Sequence, residues 1–143
     1  MTAVAAAPDD CATPELHPNA VAAGRARLAA APDPRRVAAL FALLADPTRA
    51  RMLTALGDGE LCVCDLAAVT AINRSTVSHQ LRTLREGGVV SRRREGKVVF
   101  YALADDHVRA LLDMGIAHAA EPLPDAPEHG ASRSVGLRRP GSR

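Results

Sequence analysis

Apolar residues recur at helical spacing through the middle of the chain. Val37, Leu40, Phe41 and Leu44 form one stripe, Ala50, Leu53 and Leu56 a second, and Val77, Leu81 and Leu84 a third. Each pattern predicts an amphipathic helix that faces a core. The first two helices have marked starts. Asp33-Pro34 and Asp46-Pro47 each set an N-cap residue before a proline at the first helical position, where the missing N–H does no harm and the fixed φ helps. The second helix should stop near Gly57-Asp58-Gly59.

A third, short helix is expected to start around Leu61 to Cys64 and run to Val69. After the turn Thr70-Ala71-Ile72-Asn73, a fourth should pass through Leu84 and end at Gly87-Gly88. Helix, short turn, helix is the helix-turn-helix order. Val89 to Arg94 and Val98 to Leu103 are β-prone runs joined by Glu95-Gly96-Lys97, which predicts a hairpin with a basic tip. A last helix is expected over about Asp105 to Ala120, ending before Pro122. The chain therefore divides into a flexible arm over 1–32, with a short helix over Val21 to Ala30, a folded domain over 33–121, and a disordered tail over 122–143 rich in Pro and Gly.

Composition narrows the fold class. Hydrophobic residues make up 48% of the chain, but the aromatic ones are only Phe41, Phe100 and Tyr101, so Ala, Leu and Val must build the core. That material suits small packed helices, and 143 residues bury a modest core that often needs a partner chain. No run approaches the roughly 18 apolar residues that span a bilayer. Asp9 and Asp10 stand where a secretory signal would be basic, so a cytoplasmic protein without membrane attachment is expected.

Net charge is only +2, yet residues 74–97 carry seven Arg or Lys against two Glu. Such a local excess is the footprint of a polyanion-binding surface, although a solvated face would also explain it. In the fourth helix, Val77, Leu81 and Leu84 take one side and leave the other to Arg74, Ser75, Thr76, Ser78, His79, Gln80, Arg82 and Arg85. These groups donate to phosphates and reach base edges, and the hydroxyl-rich N-terminal end is the part that enters a major groove. The hairpin adds Arg92, Arg93, Arg94 and Lys97 for the backbone or the neighbouring minor groove. Together they predict a mainly α protein with a small β-hairpin, a winged helix-turn-helix that binds double-stranded DNA.

Three cysteines, Cys11, Cys62 and Cys64, cannot all pair within one chain, and cytosolic thiols stay reduced. On a regular helix Cys62 and Cys64 would point roughly 200° apart, so both reach one ion only at the helix start. There the helix N-terminus also favours the thiolate that binds metal. Asp65 is either an oxygen ligand or a first-turn acid against the helix dipole. Two thiolates leave a tetrahedral zinc or cadmium site half filled, and Cys11 with His17 in the arm would complete it. The alternative is two small core residues and an idle tail.

A second constellation lies on the last helix, with Asp105 and His107 near its start and His118 and Glu121 near its end. Eleven residues separate the histidines by about 16 Å, so one chain cannot close the site. Two antiparallel copies about a two-fold axis would bring Asp105 and His107 of one to His118 and Glu121 of the other. Ordinary polar groups at helix ends are the alternative.

The segments ELCVCDLA (60–67), STVSHQLRTLREGGVV (75–90), RRREGKVVFYAL (92–103) and the spacing DxHx10HxxE (105–121) together resemble the ArsR/SmtB family of metal-sensing repressors. The resemblance covers about residues 33–121. It implies a homodimer that binds operator DNA and releases it when metal binds. By that likeness Cys62, Cys64 and Cys11 fall where the thiolate-rich site of cadmium-, lead- and zinc-responsive members lies, with His17 or Asp65 as fourth ligand. Asp105, His107, His118 and Glu121 fit the zinc- or cobalt-type site at the dimer interface. The arm supplies one cysteine where the most thiophilic members supply two, and Ala67 stands where arsenite-sensing members commonly have another.

The reading is therefore a repressor, not an enzyme, induced by Zn(II), Cd(II) or Pb(II). Arsenite-responsive and thiol-redox-responsive repressors of the same fold are the alternatives. A metal-dependent hydrolase would use the same Asp, His and Glu ligands, but no nucleophile, general base or substrate pocket accompanies them.

Overall fold

The computed structural model describes residues 15–122. Six helices and three strands follow in order: α1 (Pro18–Ala30), α2 (Pro34–Leu44), α3 (Pro47–Leu56), β1 (Leu61–Cys62), α4 (Val63–Thr70), α5 (Arg74–Glu86), β2 (Val90–Glu95), β3 (Val98–Leu103) and α6 (Asp106–Ala120). The two helices with Asp-Pro starts, α2 and α3, have the caps expected of them. Asp33 accepts from the Arg35 N–H and Asp46 from the Arg49 N–H, each at 2.9 Å. The tail over 122–143 and the first part of the arm fall, but for Pro122, outside the described residues. The arm's helix begins at Pro18, three residues before the expected start.

One cluster forms the core. Met52, Leu53 and Leu56 of α3, Leu66 of α4, Val77, Leu81 and Leu84 of α5, Val89, Val90, Leu103 and Val108 are buried together. Burying a side chain of this size contributes on the order of 1.5–3 kcal/mol, so α3, α4 and α5 hold the domain together. No residue of α1 or α2 is fully buried. The core-facing stripe expected of α2 is split: Leu40 and Leu44 pack on the core cluster, whereas Phe41 stays 53% exposed and Val37 lies beside it at the surface. Phe41, Leu44, Leu111, Leu112 and Ile116 line an apolar groove between α2 and α6. The core of a single chain runs out before these side chains are covered.

The hairpin gains a strand that the hydrophobic pattern did not announce. β1 pairs antiparallel with β3, giving a sheet of order β1-β3-β2 with Leu61 opposite Tyr101 and Cys62 opposite Phe100. Two residues are too few to display a period. β2 pairs with β3 so that Arg92 faces Tyr101, Arg93 faces Phe100 and Arg94 faces Val99. Gly96, at φ 60°, makes the tight turn between them. Gly87 answers a close approach instead: a Cβ there would meet the Leu43 side chain at 2.2 Å.

Candidate functional site

The helix-turn-helix consists of α4 and α5. The turn is closed by Ala71, a non-glycine residue in the left-handed region at φ 57°. Asn73 caps α5 by accepting from the Thr76 N–H at 2.8 Å. Burial of Val77, Leu81 and Leu84 turns the opposite side outward, and Arg74, Ser75, Ser78, His79, Arg82 and Arg85 are exposed there. Thr76 is half-buried. Ser78, Arg82, Arg85, Arg92 and Tyr101 line one polar cleft between α5 and the wing. Three guanidiniums and two hydroxyls around one cleft suit a backbone phosphate.

Two of the expected DNA contacts are engaged within the protein. Gln80 accepts from Arg49 Nη1 at 3.3 Å. Arg93 turns to the other face of the sheet, because successive residues of a strand alternate. Its Nη2 meets Glu60 Oε2 at 2.8 Å, its Nη1 meets Glu95 Oε2 at 2.9 Å, and its guanidinium lies 5.1 Å from the centre of the Phe100 ring. The hydrogen bond from Arg93 holds the Glu60 carboxyl below its ordinary range, and Glu60, then Glu95, push the Arg93 guanidinium up. Arg94 is exposed on the Arg92 face. Lys97 sits at the wing tip and lines a pocket with Val98, Val99, Cys62, Val63 and Cys64.

Cys62 is the N-cap of α4, with extended backbone at φ −81° and ψ 172°. This is the non-helical start that lets both thiols approach one region, and both line the same surface pocket. Cys64 is exposed and Cys62 half-buried. Cys62 and Asp65 form a reciprocal capping box. The Asp65 N–H donates to Cys62 Sγ at 3.4 Å, while Asp65 Oδ2 accepts from the Cys62 N–H at 3.3 Å and from its thiol at 3.1 Å. Asp65 thus has the helix-start role as well as an oxygen beside the sulfur. His17 is the exposed residue before α1 and makes no side-chain cap. Cys11 lies outside the described residues.

On α6 the structure brings the four expected ligands together as two pairs. His107 Nδ1 lies 3.7 Å from Asp105 Oδ1, and His118 Nδ1 lies 3.9 Å from Glu121 Oε2. Asp105 also caps the helix, accepting from the Val108 N–H at 2.9 Å. Among the described residues no group of three or more His, Cys, Asp or Glu side chains is assembled for a metal ion. The donor types suit zinc or cadmium at each place, and within one chain each set offers fewer donors than a closed tetrahedral site needs.

Arg49, Glu60 and Tyr101 were not read from the sequence as functional. Arg49 had a signal: a cation in the first turn of a helix opposes the macrodipole and needs another reason to be there. The period of two along β2 was the available signal for Arg93.

Residues 46–92 match the family model described as bacterial regulatory protein, arsR family. The chain is 44% identical over 101 residues to a transcriptional repressor SmtB homolog from Synechocystis, covering 71% of this chain and 76% of that one. It is 38% identical over 114 residues to a cadmium resistance transcriptional regulatory protein CadC homolog from Staphylococcus aureus, covering 79% and 93%. Among solved structures, the homodimeric winged helix-turn-helix DNA-binding domain of Mb0332 from Mycobacterium bovis superposes with a TM-score of 0.57 at 34% identity. The match covers 59% of this chain and 79% of that one.

Proposed function

The chain belongs to the arsR family of bacterial regulatory proteins, and on that premise we propose a metal-responsive transcriptional repressor that holds operator DNA as a metal-free homodimer and leaves it on binding Zn(II), Cd(II) or Pb(II). It is a regulator, not an enzyme. Its place of work is the cytoplasm, where the DNA is. No helix among the described residues is long and apolar enough to cross a membrane.

The observation that carries the metal reading is Cys62 at the N-cap of α4, sharing a pocket with Cys64. Cys62 Sγ uses its lone pairs to cap the first helix of the helix-turn-helix. Ligation draws on the same sulfur, so occupancy of the thiol site bears directly on the helix that supports α5. Cys11 from the arm, with His17 or Asp65, completes this set. The half sites on α6 support a second, interfacial set, in which Asp105 and His107 of one protomer meet His118 and Glu121 of the other. The uncovered apolar side chains of α2 and α6 support the dimer. On the DNA side, Arg74, Ser75, Thr76, Ser78 and His79 meet the groove, while Arg82, Arg85, Arg92, Arg94 and Lys97 hold phosphates.

A ligand shifts the equilibrium only if it binds one dimer conformation better than the other. A 100-fold fall in DNA affinity corresponds to about 2.7 kcal/mol of coupling, within the usual range for allosteric proteins. The test is metal stoichiometry in the wild type, Cys62→Ser and His118→Ala, each paired with DNA binding. Loss of metal together with loss of metal-induced release is expected in at least one variant. Unchanged DNA affinity in the metal-loaded wild type would sink the reading.

A further inference from the structure

Across the three strands, Cys62, Phe100 and Arg93 lie in one row: Cys62 is opposite Phe100 on β3, and Phe100 is opposite Arg93 on β2. Residues directly opposite across antiparallel strands share a face. Arg93 closes the row by a second route, since it grips Glu60, two residues before Cys62 in the chain. All three guanidinium nitrogens have partners. Nε donates to both oxygens of Glu60 at 3.2 and 3.3 Å, Nη2 to Glu60 and Nη1 to Glu95, over the Phe100 ring. The next row, Leu61, Tyr101 and Arg92, belongs to the other face and reaches the polar cleft with Arg82 and Arg85.

The three consecutive arginines of the wing therefore differ in kind. Among the described residues no carboxylate pairs with Arg92 or Arg94, whereas two neutralise Arg93. An arginine held by two carboxylates brings no net charge to a phosphate and releases no counterion. Exposed ion pairs are weak one by one, so the value of this one is geometric: a bidentate fork fixes direction as well as distance. What it fixes is the wing against the short strand that ends in the metal-binding thiol.

We propose that Arg93 is a positioning residue that meets no DNA and instead, through Glu60 and Phe100, ties the wing to the strand carrying Cys62, so that occupancy of the thiol site is felt at the wing. The proposal rests on the metal-responsive reading above for its regulatory half and on the sheet geometry alone for its DNA half. Cys62 and Cys64 share their pocket with Lys97, Val98 and Val99 at the wing tip, so thiols and wing are already neighbours. The β1–β3 pairing remains in any side-chain variant, so loosening of Arg93 should weaken the coupling without abolishing it.

The test uses the full-length protein, a fluorescent duplex carrying the site that the wild type selects from a random-sequence pool, and Cd(II) as the probe metal. Without metal, the salt dependence of binding reports phosphate contacts. Arg92→Gln should flatten the slope of log K against log salt by about one per subunit, and Arg93→Gln should leave the wild-type slope unchanged. With Cd(II), the drop in DNA affinity should shrink threefold or more in Arg93→Gln and in Glu60→Gln, and no further in the double variant, because both substitutions break one link. A slope flattened in Arg93→Gln as in Arg92→Gln, a Cd(II) response reduced less than threefold, or additive losses in the double variant overturns the proposal. A wild type without any Cd(II) response defeats the functional reading instead, and the slope comparison still decides whether Arg93 meets DNA.

Discussion

Arg49 of α3 reaches Gln80 of α5, with Nη1 at 3.3 Å from Oε1, while its Nε and Nη2 donate to the carbonyls of Leu43 at 2.7 Å and Ala42 at 3.0 Å. One guanidinium thus closes the C-terminal end of α2, where carbonyls run short of helical partners and a cation is favoured, and holds α5 from behind. Removing it takes a donor from three acceptors, of which the Ala42 carbonyl keeps the Ala45 N–H at 3.4 Å. Arg49→Ala should cost about 1–3 kcal/mol in urea unfolding and weaken DNA binding by roughly tenfold, the scale of one lost charged hydrogen bond. Arg49→Lys should recover only part, since an ammonium cannot span the fork. Full recovery by lysine would mean that charge, not the fork, matters.

Ala71 holds the turn of the helix-turn-helix, between α4 and α5, at φ 57° and ψ 34°. A residue with a Cβ loses roughly 1–2 kcal/mol in that conformation, and glycine escapes this while losing more chain entropy on folding. Ala71→Gly should therefore stabilise the protein by about 0.5–1 kcal/mol in denaturant unfolding, with DNA affinity unchanged. Destabilisation would show that the Ala71 methyl makes a contact that outweighs the strain.

Cys62 both caps α4 and, in our reading, binds metal, and two substitutions separate those roles. Serine is among the best N-cap residues and alanine among the poorer ones. Cys62→Ser should match or exceed the wild-type melting temperature without metal, while Cys62→Ala should lose about 0.5–2 kcal/mol. Both should lose metal at the thiol site equally. If serine proves as unstable as alanine, the sulfur's packing rather than its hydrogen bond holds the helix start.

Much of the fold is legible in the sequence. Long periodic stripes marked α2, α3 and α5, and Asp-Pro starts marked the first two, because stripes and caps are local in sequence. The start of α4, capped by Cys62, falls inside the Leu61 to Cys64 range that the sequence indicated. β1 was illegible, being two residues whose strand character comes wholly from pairing with β3, 38 residues later. The division of Arg92, Arg93 and Arg94 between two faces needed the register, which a run of identical side chains does not reveal. The outward exposure of Phe41 was hidden for a related reason: an apolar stripe says that a side chain seeks cover, not which chain supplies it.

The Glu60–Arg93 link sets a pH limit on the wing. Hydrogen bonding by Arg93 lowers the Glu60 carboxyl below its ordinary value of 4.5. A carboxyl lowered in the folded state contributes fully above its ordinary value, and that contribution is lost as pH falls through the lowered one. The link should be intact at neutral pH and released only in acid below that ordinary value. Titration of the Glu60 carboxyl carbon by NMR should give a lower midpoint in the wild type than in Arg93→Gln. Coincident midpoints would show that the pair does not persist in solution.

His107 and His118 stand at opposite ends of one helix, each paired with its own carboxylate, and about 16 Å apart by helix rise. If the interfacial site takes Asp105 and His107 from one protomer and His118 and Glu121 from the other, the two damaged chains should complement each other. A homodimer of His107→Ala lacks a ligand in both of its sites, and so does a homodimer of His118→Ala. In a mixed dimer both lesions fall in the same site, so the other keeps all four ligands. Each homodimer should therefore bind Zn(II) at this position at least tenfold more weakly than the wild type, as loss of one ligand implies. The mixed dimer, purified through two different tags, should bind one ion per dimer with wild-type affinity. Both homodimers serve as the controls for folding, since each damaged chain occurs in them unchanged. A mixed dimer that binds no better than its parents would show that the two ends of α6 do not meet across the two-fold axis.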